Sequence, residues 1–148
     1  MAIWHINGGK RLEGECYVQG SKNAVLPILA ASIISPCESV LMNVPRLSDV
    51  DTSVQILREL GCRVNVRKND VYIDSGEITS NYIPCEMMER MRSSVLFMGA
   101  LLARCGEAEI CAPGGCDLGS RPIDLHLAGL RAMGAVVREE EDRVVCPS

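Results

Sequence analysis

Two basic side chains stand where the sequence predicts that an apolar helix begins. Lys22 follows a Gly-Ser step at the start of one helix, and Arg92 holds the matching place before another. A helix start presents unpaired backbone amides and the positive end of the helix dipole, so an added cation makes an anion site. The Gly-x-x-x-x-Gly-Lys-[Ser/Thr] spacing of a P-loop is absent. For Lys22, a solvated lysine without a ligand remains the alternative.

A third candidate is Cys116, in a loop rich in glycine and proline over residues 113–122. The two glycines before it permit a close approach of the backbone to a ligand. Arg121 offers a planar fork for phosphate or carboxylate, and a nearby cation favours the thiolate form of a cysteine. Cys116 is therefore a candidate nucleophile or general acid. Asp124 starts the next helix, where a role as N-cap or first-turn acid is the alternative to ligand contact.

The composition indicates a globular chain rather than a membrane or nucleic-acid-binding one. Its 148 residues, 47% hydrophobic and 23% charged, amount to about one domain. No window approaches the roughly 18 consecutive apolar residues of a membrane span. The net charge of −4 and the 3% of aromatic residues argue against a nucleic-acid partner, whose binding needs a basic surface and stacking platforms.

The chain has 8 cysteines. Because the first residues show no basic region followed by an apolar one, we expect no secretory signal, a cytoplasmic location and reduced thiols. No Cys-x-x-Cys pair exists and the two histidines lie far apart, so we expect no metal site. Cys16, Cys111 and Cys146 stand in apolar runs, which is typical of small buried residues.

An internal repeat organises the elements that must position these residues. Residues 57–64 align with residues 130–137, and Asp51 aligns with Asp124 at the same offset. Between its proline and its aspartate the second copy holds about five more residues, which fall in the segment that carries Cys116. Such a repeat defines the supersecondary unit of the fold.

Both copies predict the same alternation of helices and strands. For the first copy we predict helices over 21–34 and 49–60, a strand over 39–44, and a hairpin of 63–67 with 71–74. For the second we predict helices over 89–103 and 123–133, a strand over 108–112, and a hairpin of 135–138 with 143–146. With a strand before each first helix, the unit is β-α-β-α-β-β. Neither copy can bury its apolar faces alone, so we expect one shared core.

Three motifs carry a resemblance to a known family. They are Gly-Ser-Lys-Asn-Ala at 20–24, Arg-Met-Arg-Ser-Ser at 90–94, and Pro-Gly-Gly-Cys followed by Arg-Pro-Ile-Asp-Leu-His within 113–126. In these the chain resembles the UDP-N-acetylglucosamine 1-carboxyvinyltransferases, which are enolpyruvyl transferases. The resemblance runs in register from residue 1.

The resemblance implies an α/β fold, the inside-out α/β barrel of the enolpyruvyl transferases. That barrel has two lobes of three β-α-β-α-β-β units each, so this chain would hold about two of six units. Residues 1–21 would be an extended segment that packs on the missing second lobe. Residues 22–80 would form the first unit of lobe one, and residues 81–148 the second unit, with the Cys116 loop.

The resemblance also implies a reaction, in which the enolpyruvyl group of phosphoenolpyruvate moves to the 3′-hydroxyl of UDP-N-acetylglucosamine and phosphate leaves. This is the first committed step of peptidoglycan synthesis, and it needs no cofactor. Cys116 would donate a proton to the methylene carbon and would be the site that fosfomycin alkylates. Lys22 and Asn23 would contact phosphoenolpyruvate and the sugar. The residues expected to contact UDP-N-acetylglucosamine are Arg92, Arg121, Pro122, Ile123, Asp124 and Leu125.

Two departures from the family qualify these expectations. Some members carry an aromatic residue where this chain has Leu96. The missing lobe would supply an acidic general base and further arginines, so we expect the chain alone to be inactive. The alternatives are a non-catalytic module that binds a UDP-sugar or a protein, and a shikimate 3-phosphate enolpyruvyl transferase. The cysteine loop argues against the last, since that branch has no such cysteine.

Overall fold

The computed structural model describes residues 3–111, 123–141 and 143–147. In this part helices and strands alternate, which confirms the predicted α/β class. The elements are α1 (Lys22–Ala31), β1 (Glu38–Leu41), α2 (Ser48–Glu59), β2 (Arg63–Arg67), β3 (Asp70–Asp74), β4 (Tyr82–Ile83), α3 (Cys85–Arg90), a 3-10 turn (Arg92–Ser94), α4 (Val95–Cys105), β5 (Ala108–Cys111), α5 (Asp124–Ala132), β6 (Arg138–Glu139) and β7 (Arg143–Cys146).

The first sheet has the strand order β1-β3-β2, and both of its pairs are antiparallel. Ile73 of β3 lies opposite Ser39 on one side and Val64 on the other. The hairpin of β2 and β3 turns through Lys68, which takes a left-handed backbone with φ 55°. The predicted hairpin of this copy is therefore confirmed, and its turn lies between the predicted strands 63–67 and 71–74.

The second sheet has the order β4-β5-β7-β6. Its last three strands reproduce the antiparallel arrangement of the first sheet, with β5, β7 and β6 in the places of β1, β3 and β2. The additional strand, β4, pairs in parallel with β5 and sets Ile83 opposite Ile110. The second copy thus shows the predicted β-α-β-α-β-β order. The first copy shows no opening strand in the described residues, because residues 3–20 form neither strand nor helix.

The predicted helix over 89–103 is wrong as a single element. α3 ends at Arg90, Met91 takes an extended backbone with φ −141° and ψ 109°, and α4 begins only at Val95. The Met91 side chain is buried, and its carbonyl accepts hydrogen bonds from the backbone amide and the hydroxyl of Ser94. The Met91 sulfur also lies 3.2 Å from the hydroxyl of Ser53 in α2, so a tertiary contact opposes the helical periodicity that continues through this stretch.

The strand predicted over 135–138 begins later than expected. The amide of Ala135 still bonds to the carbonyl of Leu130 at 3.0 Å, and Gly134 has φ 98°. These residues close α5 in the way that helices commonly end at glycine. The backbone is therefore free to pair with β7 only from Arg138 onward.

One hydrophobic core joins the two copies, as predicted. α1 packs against both α2 of its own copy and α4 of the other. Leu29 of α1, Leu57 of α2 and Leu101 of α4 are all fully buried within a single cluster. Each helix thus buries an apolar face that its own copy could not cover alone.

Residues 3–20 differ from the rest of the described chain. Their large apolar side chains are almost fully exposed, as shown by Trp4 at 85% and Leu12 at 94% exposure. The chain meets the folded part at Gly20, where an added Cβ would lie 2.6 Å from the carbonyl oxygen of Asn43. Only glycine therefore fits this close approach.

Within the described residues no helix is long and apolar enough to cross a membrane, and no group of three or more His, Cys, Asp or Glu residues is placed to hold a metal ion. A disulfide bond joins Cys85 and Cys111, so the expectation of reduced thiols is wrong for this pair. Cys146 is buried as predicted, whereas Cys16 is exposed, because its apolar run has no sheet to join.

Candidate functional site

Lys22 is the first residue of α1, at the helix start that the sequence predicts. The carbonyl of Ser21 opens the helix by accepting hydrogen bonds from the amides of Ala24 and Val25. The Lys22 ammonium does not point freely into solvent, because its Nζ lies 2.7 Å from Oδ2 of Asp49. Asp49 stands in the first turn of α2, so this ion pair joins the starts of two helices.

Asp49 is a residue that sequence analysis did not single out. The sequence places Asp49 at the start of the predicted helix over 49–60, where an acidic residue interacts favourably with the helix dipole. Its contact with Lys22 was not visible in the sequence, because the two residues are far apart in the chain and meet only where α1 packs on α2. Half of the Lys22 side chain is still exposed, so the ammonium can also reach a ligand.

α2 also contacts the segment that carries the second predicted cation. The hydroxyl of Ser53 donates a hydrogen bond to the carbonyl of Asp49 at 2.9 Å, and its oxygen lies 3.2 Å from Sδ of Met91. Ser53 and Met91 are both buried, and Met91 directly precedes the 3-10 turn that begins at Arg92. The first two turns of α2 therefore contact the Lys22 side chain through Asp49 and the Met91 side chain, which directly precedes Arg92, through Ser53. The structure describes the backbone of Arg92 and not its side chain.

A groove of about 320 Å³ lies between α4 and α5, just beyond the Arg92 turn. Leu96, which the resemblance aligns with an aromatic residue of some family members, lines it. The lining residues are Val95, Leu96, Met98, Gly99, Leu125, His126, Gly129, Leu130 and Met133. The groove is mostly apolar, and Leu96 and Leu125 line it from the first turns of α4 and α5.

Three residues of the expected 121–125 segment are described at the start of α5. Ile123 is half-buried and holds the N-cap position, without a side-chain cap. Asp124 is the first helical residue and is exposed, so its role within the fold is that of a first-turn acid and not of an N-cap. Leu125 is 82% exposed at the edge of the groove. Asn23, the remaining described candidate, is exposed on the first turn of α1.

Cys116, Arg121 and Pro122 lie outside the described residues, as does Ala112 at the end of the predicted strand over 108–112. The described chain ends at Cys111, the last residue of β5, and resumes at Ile123, just before α5. The structure thus gives the two points from which the Cys116 loop departs and to which it returns.

The described groups with shifted pKa values lie outside this cluster of helix starts. Burial raises the pKa of the Cys62 thiol to about 11, an effect that the nearby charge of Arg104 partly offsets. Burial likewise raises the pKa of Cys146. Both thiols are therefore neutral at physiological pH and behave as small core residues.

Comparison with known proteins shows the family to which the chain belongs. A family model described as EPSP synthase (3-phosphoshikimate 1-carboxyvinyltransferase) matches residues 6–148. The UDP-N-acetylglucosamine 1-carboxyvinyltransferase 2 of Caldanaerobacter subterraneus subsp. tengcongensis is 48% identical over 146 residues, which are 99% of this chain and 35% of the relative. The UDP-N-acetylglucosamine 1-carboxyvinyltransferase of Dichelobacter nodosus is 49% identical over 133 residues, 89% of this chain and 32% of the relative.

A solved structure supports the fold. The enolpyruvyl transferase NikO from Streptomyces tendae superposes with a TM-score of 0.80 at 20% sequence identity, covering 95% of this chain and 31% of that protein. At this identity the likeness shows the fold alone. In each of these comparisons the chain spans about a third of the length of its relative.

Proposed function

Because this chain belongs to the EPSP synthase family of enolpyruvyl transferases, we propose that it is the N-terminal part of a UDP-N-acetylglucosamine 1-carboxyvinyltransferase. The whole enzyme would move the enolpyruvyl group from phosphoenolpyruvate to the sugar 3′-hydroxyl, as the first committed step of peptidoglycan synthesis in the cytoplasm. The observation that carries the proposal is that α2 contacts both Lys22 and the segment before Arg92. Two cations at neighbouring helix starts suit two anionic substrates.

The proposal divides the chain into three parts. Residues 22–80 and 81–148 are two repeat units of one lobe, of which the second has its opening strand β4, and residues 1–21 belong with a second lobe. The exposed apolar side chains of residues 3–20 support this division, because they have no partner surface within the described chain. The remainder of the enzyme supplies the acidic general base and further arginines.

Lys22 binds the phosphate of phosphoenolpyruvate, beside Asn23. A partly exposed ion pair such as Lys22–Asp49 contributes only about 0–1 kcal/mol, so a more highly charged phosphate group can readily compete for the ammonium. Asp49 then keeps the lysine side chain extended toward α2 in the absence of substrate. Binding of the phosphate therefore exchanges one anionic partner of the ammonium for another.

The proposed reaction has two steps, an addition that forms a tetrahedral intermediate and an elimination that releases phosphate. The Cys116 thiol gives its proton to the methylene carbon of phosphoenolpyruvate as the sugar oxygen bonds to the adjacent carbon, while the general base takes the hydroxyl proton. The tetrahedral intermediate then loses a proton from the new methyl group, its carbon–oxygen bond to phosphate breaks, and the enol ether forms. Closure of the two lobes excludes water during these steps.

UDP-N-acetylglucosamine contacts the start of α5 and the turn before α4. The proposed contacts are Arg92, Arg121, Pro122, Ile123, Asp124 and Leu125. The exposed Leu125 supports this placement, because it leaves an apolar side chain at the rim of the groove between α4 and α5. Leu96 lines the same groove and offers apolar contact in place of aromatic stacking.

Fosfomycin tests the assignment of Cys116. We expect the epoxide to form a covalent adduct with Cys116 of the 148-residue chain in the presence of UDP-N-acetylglucosamine, as located by peptide mass mapping. The Cys116→Ser variant should take no label, whereas the Cys105→Ser variant, which removes an exposed thiol elsewhere, should be labelled as the original chain is. A label on another cysteine with Cys116 unmodified would contradict the assignment.

The same samples test whether the rest of the enzyme is needed. We expect the chain alone to release no phosphate from phosphoenolpyruvate and UDP-N-acetylglucosamine, because the general base is absent. Turnover by the purified chain would refute this part of the proposal. Titration with shikimate 3-phosphate separates the two branches of the family, since only the alternative function predicts its binding.

A further inference from the structure

Cys85 and Cys111 occupy matching ends of two paired strands. β4 and β5 run in parallel with Ile83 opposite Ile110. Cys111 directly follows Ile110, and Cys85 follows Ile83 after one proline. Their Cα atoms are 5.0 Å apart, and a disulfide bond joins them across a sequence separation of 26. The bond therefore continues the β4–β5 pair at the edge from which both strands leave the sheet.

Core packing brings the two sulfur atoms together independently of the bond. Ile83, Met88 and Ile110 are essentially fully buried around the pair, and α3 packs against both β5 and α2. Because these apolar contacts position both backbones, the thiols remain neighbours when the bond is broken. Cys111 is buried whereas Cys85 is partly exposed, so a small reagent reaches Cys85 first.

The bond holds one end of the segment that leads to Arg92. α3 has only 6 residues, and so short a helix is not stable by itself. Its far end is anchored where Met91 packs on Ser53 of α2. With the bond formed, a covalent link adds to the packing that holds the Cys85 end of this segment, and with the bond broken only the packing holds it.

We propose that Cys85 and Cys111 form a reversible redox site, which low-molecular-weight disulfides such as glutathione disulfide oxidise and thiols reduce, and which sets the order of α3. The inference does not depend on the proposed function, because it concerns neither Cys116 nor a substrate. It does place a covalent control two residues before the Cys116 loop of residues 113–122 and one short helix before Arg92.

The chemistry is two successive thiol–disulfide exchanges. The Cys85 thiolate attacks one sulfur of glutathione disulfide, the glutathione sulfur–sulfur bond breaks, and one glutathione thiolate leaves and takes up a proton. The Cys111 thiolate then attacks Sγ of Cys85, forms the protein disulfide and expels the second glutathione. Two protein thiols are oxidised and one glutathione disulfide is reduced to two molecules of glutathione, so electrons and protons balance.

The structure shows no second disulfide bond among the other described cysteines. Cys16, Cys37 and Cys105 are exposed and unbonded, so they form mixed disulfides at most. Cys62 and Cys146 are buried within the core. Two adjacent sulfurs, one of them accessible, therefore distinguish the Cys85–Cys111 site among the described residues.

The test equilibrates the reduced 148-residue chain with increasing ratios of glutathione disulfide to glutathione. We expect peptide mapping after alkylation to show a bond between the peptides of Cys85 and Cys111, formed at ratios where the exposed cysteines carry glutathione or remain free. Addition of dithiothreitol should restore both thiols. Glutathione adducts at Cys85 or Cys111 without the bond, or pairing of either with another cysteine, would overturn the proposal.

Hydrogen exchange tests the consequence for α3. We expect the amides of residues 86–94 to exchange several-fold more slowly in the oxidised chain than in the reduced chain, with little change in β2 and β3. Cys85→Ser should abolish this difference and Cys105→Ser should retain it. The comparison of oxidised with reduced original chain needs no variant, so it decides the question even if Cys85→Ser folds poorly. Equal exchange in the two redox states would refute control of α3 by the bond.

Discussion

Asp74 shows how single side chains in this chain acquire unusual acidity without any part in a binding site. The amide of Gly76 donates to its Oδ1 at 3.0 Å, and Nε of Arg63 donates to its Oδ2 at 3.1 Å. The Gly76 hydrogen bond, followed by the bond to Arg63, lowers the pKa of Asp74 below its ordinary 3.8. Asp74 ends β3 and Arg63 begins β2, so the pair closes the open end of the hairpin.

The lowered pKa of Asp74 predicts the pH dependence of stability. The folded chain favours the charged carboxylate more than the unfolded chain does, so the contribution to stability is complete above pH 3.8 and is lost as the pH falls through the lower folded value. We expect Asp74→Asn to reduce the free energy of unfolding at pH 7, and the difference from the original chain to shrink below pH 4. Urea unfolding at a series of pH values measures this difference in the free energy of unfolding.

The matched control for this prediction is Glu59→Gln, which neutralises an exposed acid at the end of α2. It should not weaken the fold at pH 7, because an acid in the last turn of a helix gains nothing from the helix dipole. An Asp74→Asn chain that remains as stable as the original at pH 7 would contradict the role assigned to the carboxylate.

At the scale of elements, tertiary contacts set where helices end and how they join the strands. Gly61 follows α2 with φ 104°, and the Leu60 carbonyl beside it accepts a hydrogen bond from the amide of Thr79 at 2.9 Å. Gly106 caps α4 with φ 77° and open space around its Cα. The two glycines therefore share a left-handed backbone and differ in their surroundings.

This difference predicts unequal effects of alanine. Gly106→Ala should cost about 1 kcal/mol, the strain of a left-handed backbone for a residue with Cβ. Gly61→Ala should cost clearly more, because its Cβ would also lie 2.6 Å from Oγ1 and 2.8 Å from the backbone nitrogen of Thr79. Chemical denaturation measures the free energy of unfolding of the two variants. Equal losses of stability would show that Thr79 moves away from the added Cβ without an energetic penalty.

At the scale of the whole molecule, the described chain is one core with an appended segment. Ser75 helps to unite that core: its buried hydroxyl lies within hydrogen-bonding distance of the carbonyl oxygens of Ser32, Ser35 and Cys37, and its own carbonyl accepts from Arg104. These contacts join the chain after α1 to the end of β3 and to α4. No comparable contact is described for residues 3–19, whose side chains are exposed.

The appended segment should therefore contribute little to the stability of the rest. We expect removal of residues 1–19 to leave the melting temperature of the chain nearly unchanged, as measured by calorimetry. Limited trypsin digestion of the original chain should cut first after Lys10 or Arg11 and much later after Arg58, whose guanidinium bonds the carbonyl of Val64 at 2.9 Å. A large drop in melting temperature, or early cleavage at Arg58, would contradict this division.

Much of this architecture was predictable from the sequence, because it depends on patterns local in the chain. Apolar periodicity predicted α1, α2 and α5, alternation predicted the hairpin of β2 and β3, and the repeat predicted the same order of helices and strands in the second copy. The chemistry of Lys22 at a helix start followed in the same way, since a helix start and a charge are both properties of a short segment.

The tertiary structure alone decided which distant residues meet. The pairing of Lys22 with Asp49, the bond between Cys85 and Cys111, and the break of the helix at Met91 all arise from packing between elements. No local pattern records these contacts, because each depends on the distance between segments that only the shared core brings together. The exposure of residues 3–20 has the same origin, since an alternating segment becomes a strand only where a sheet edge accepts it.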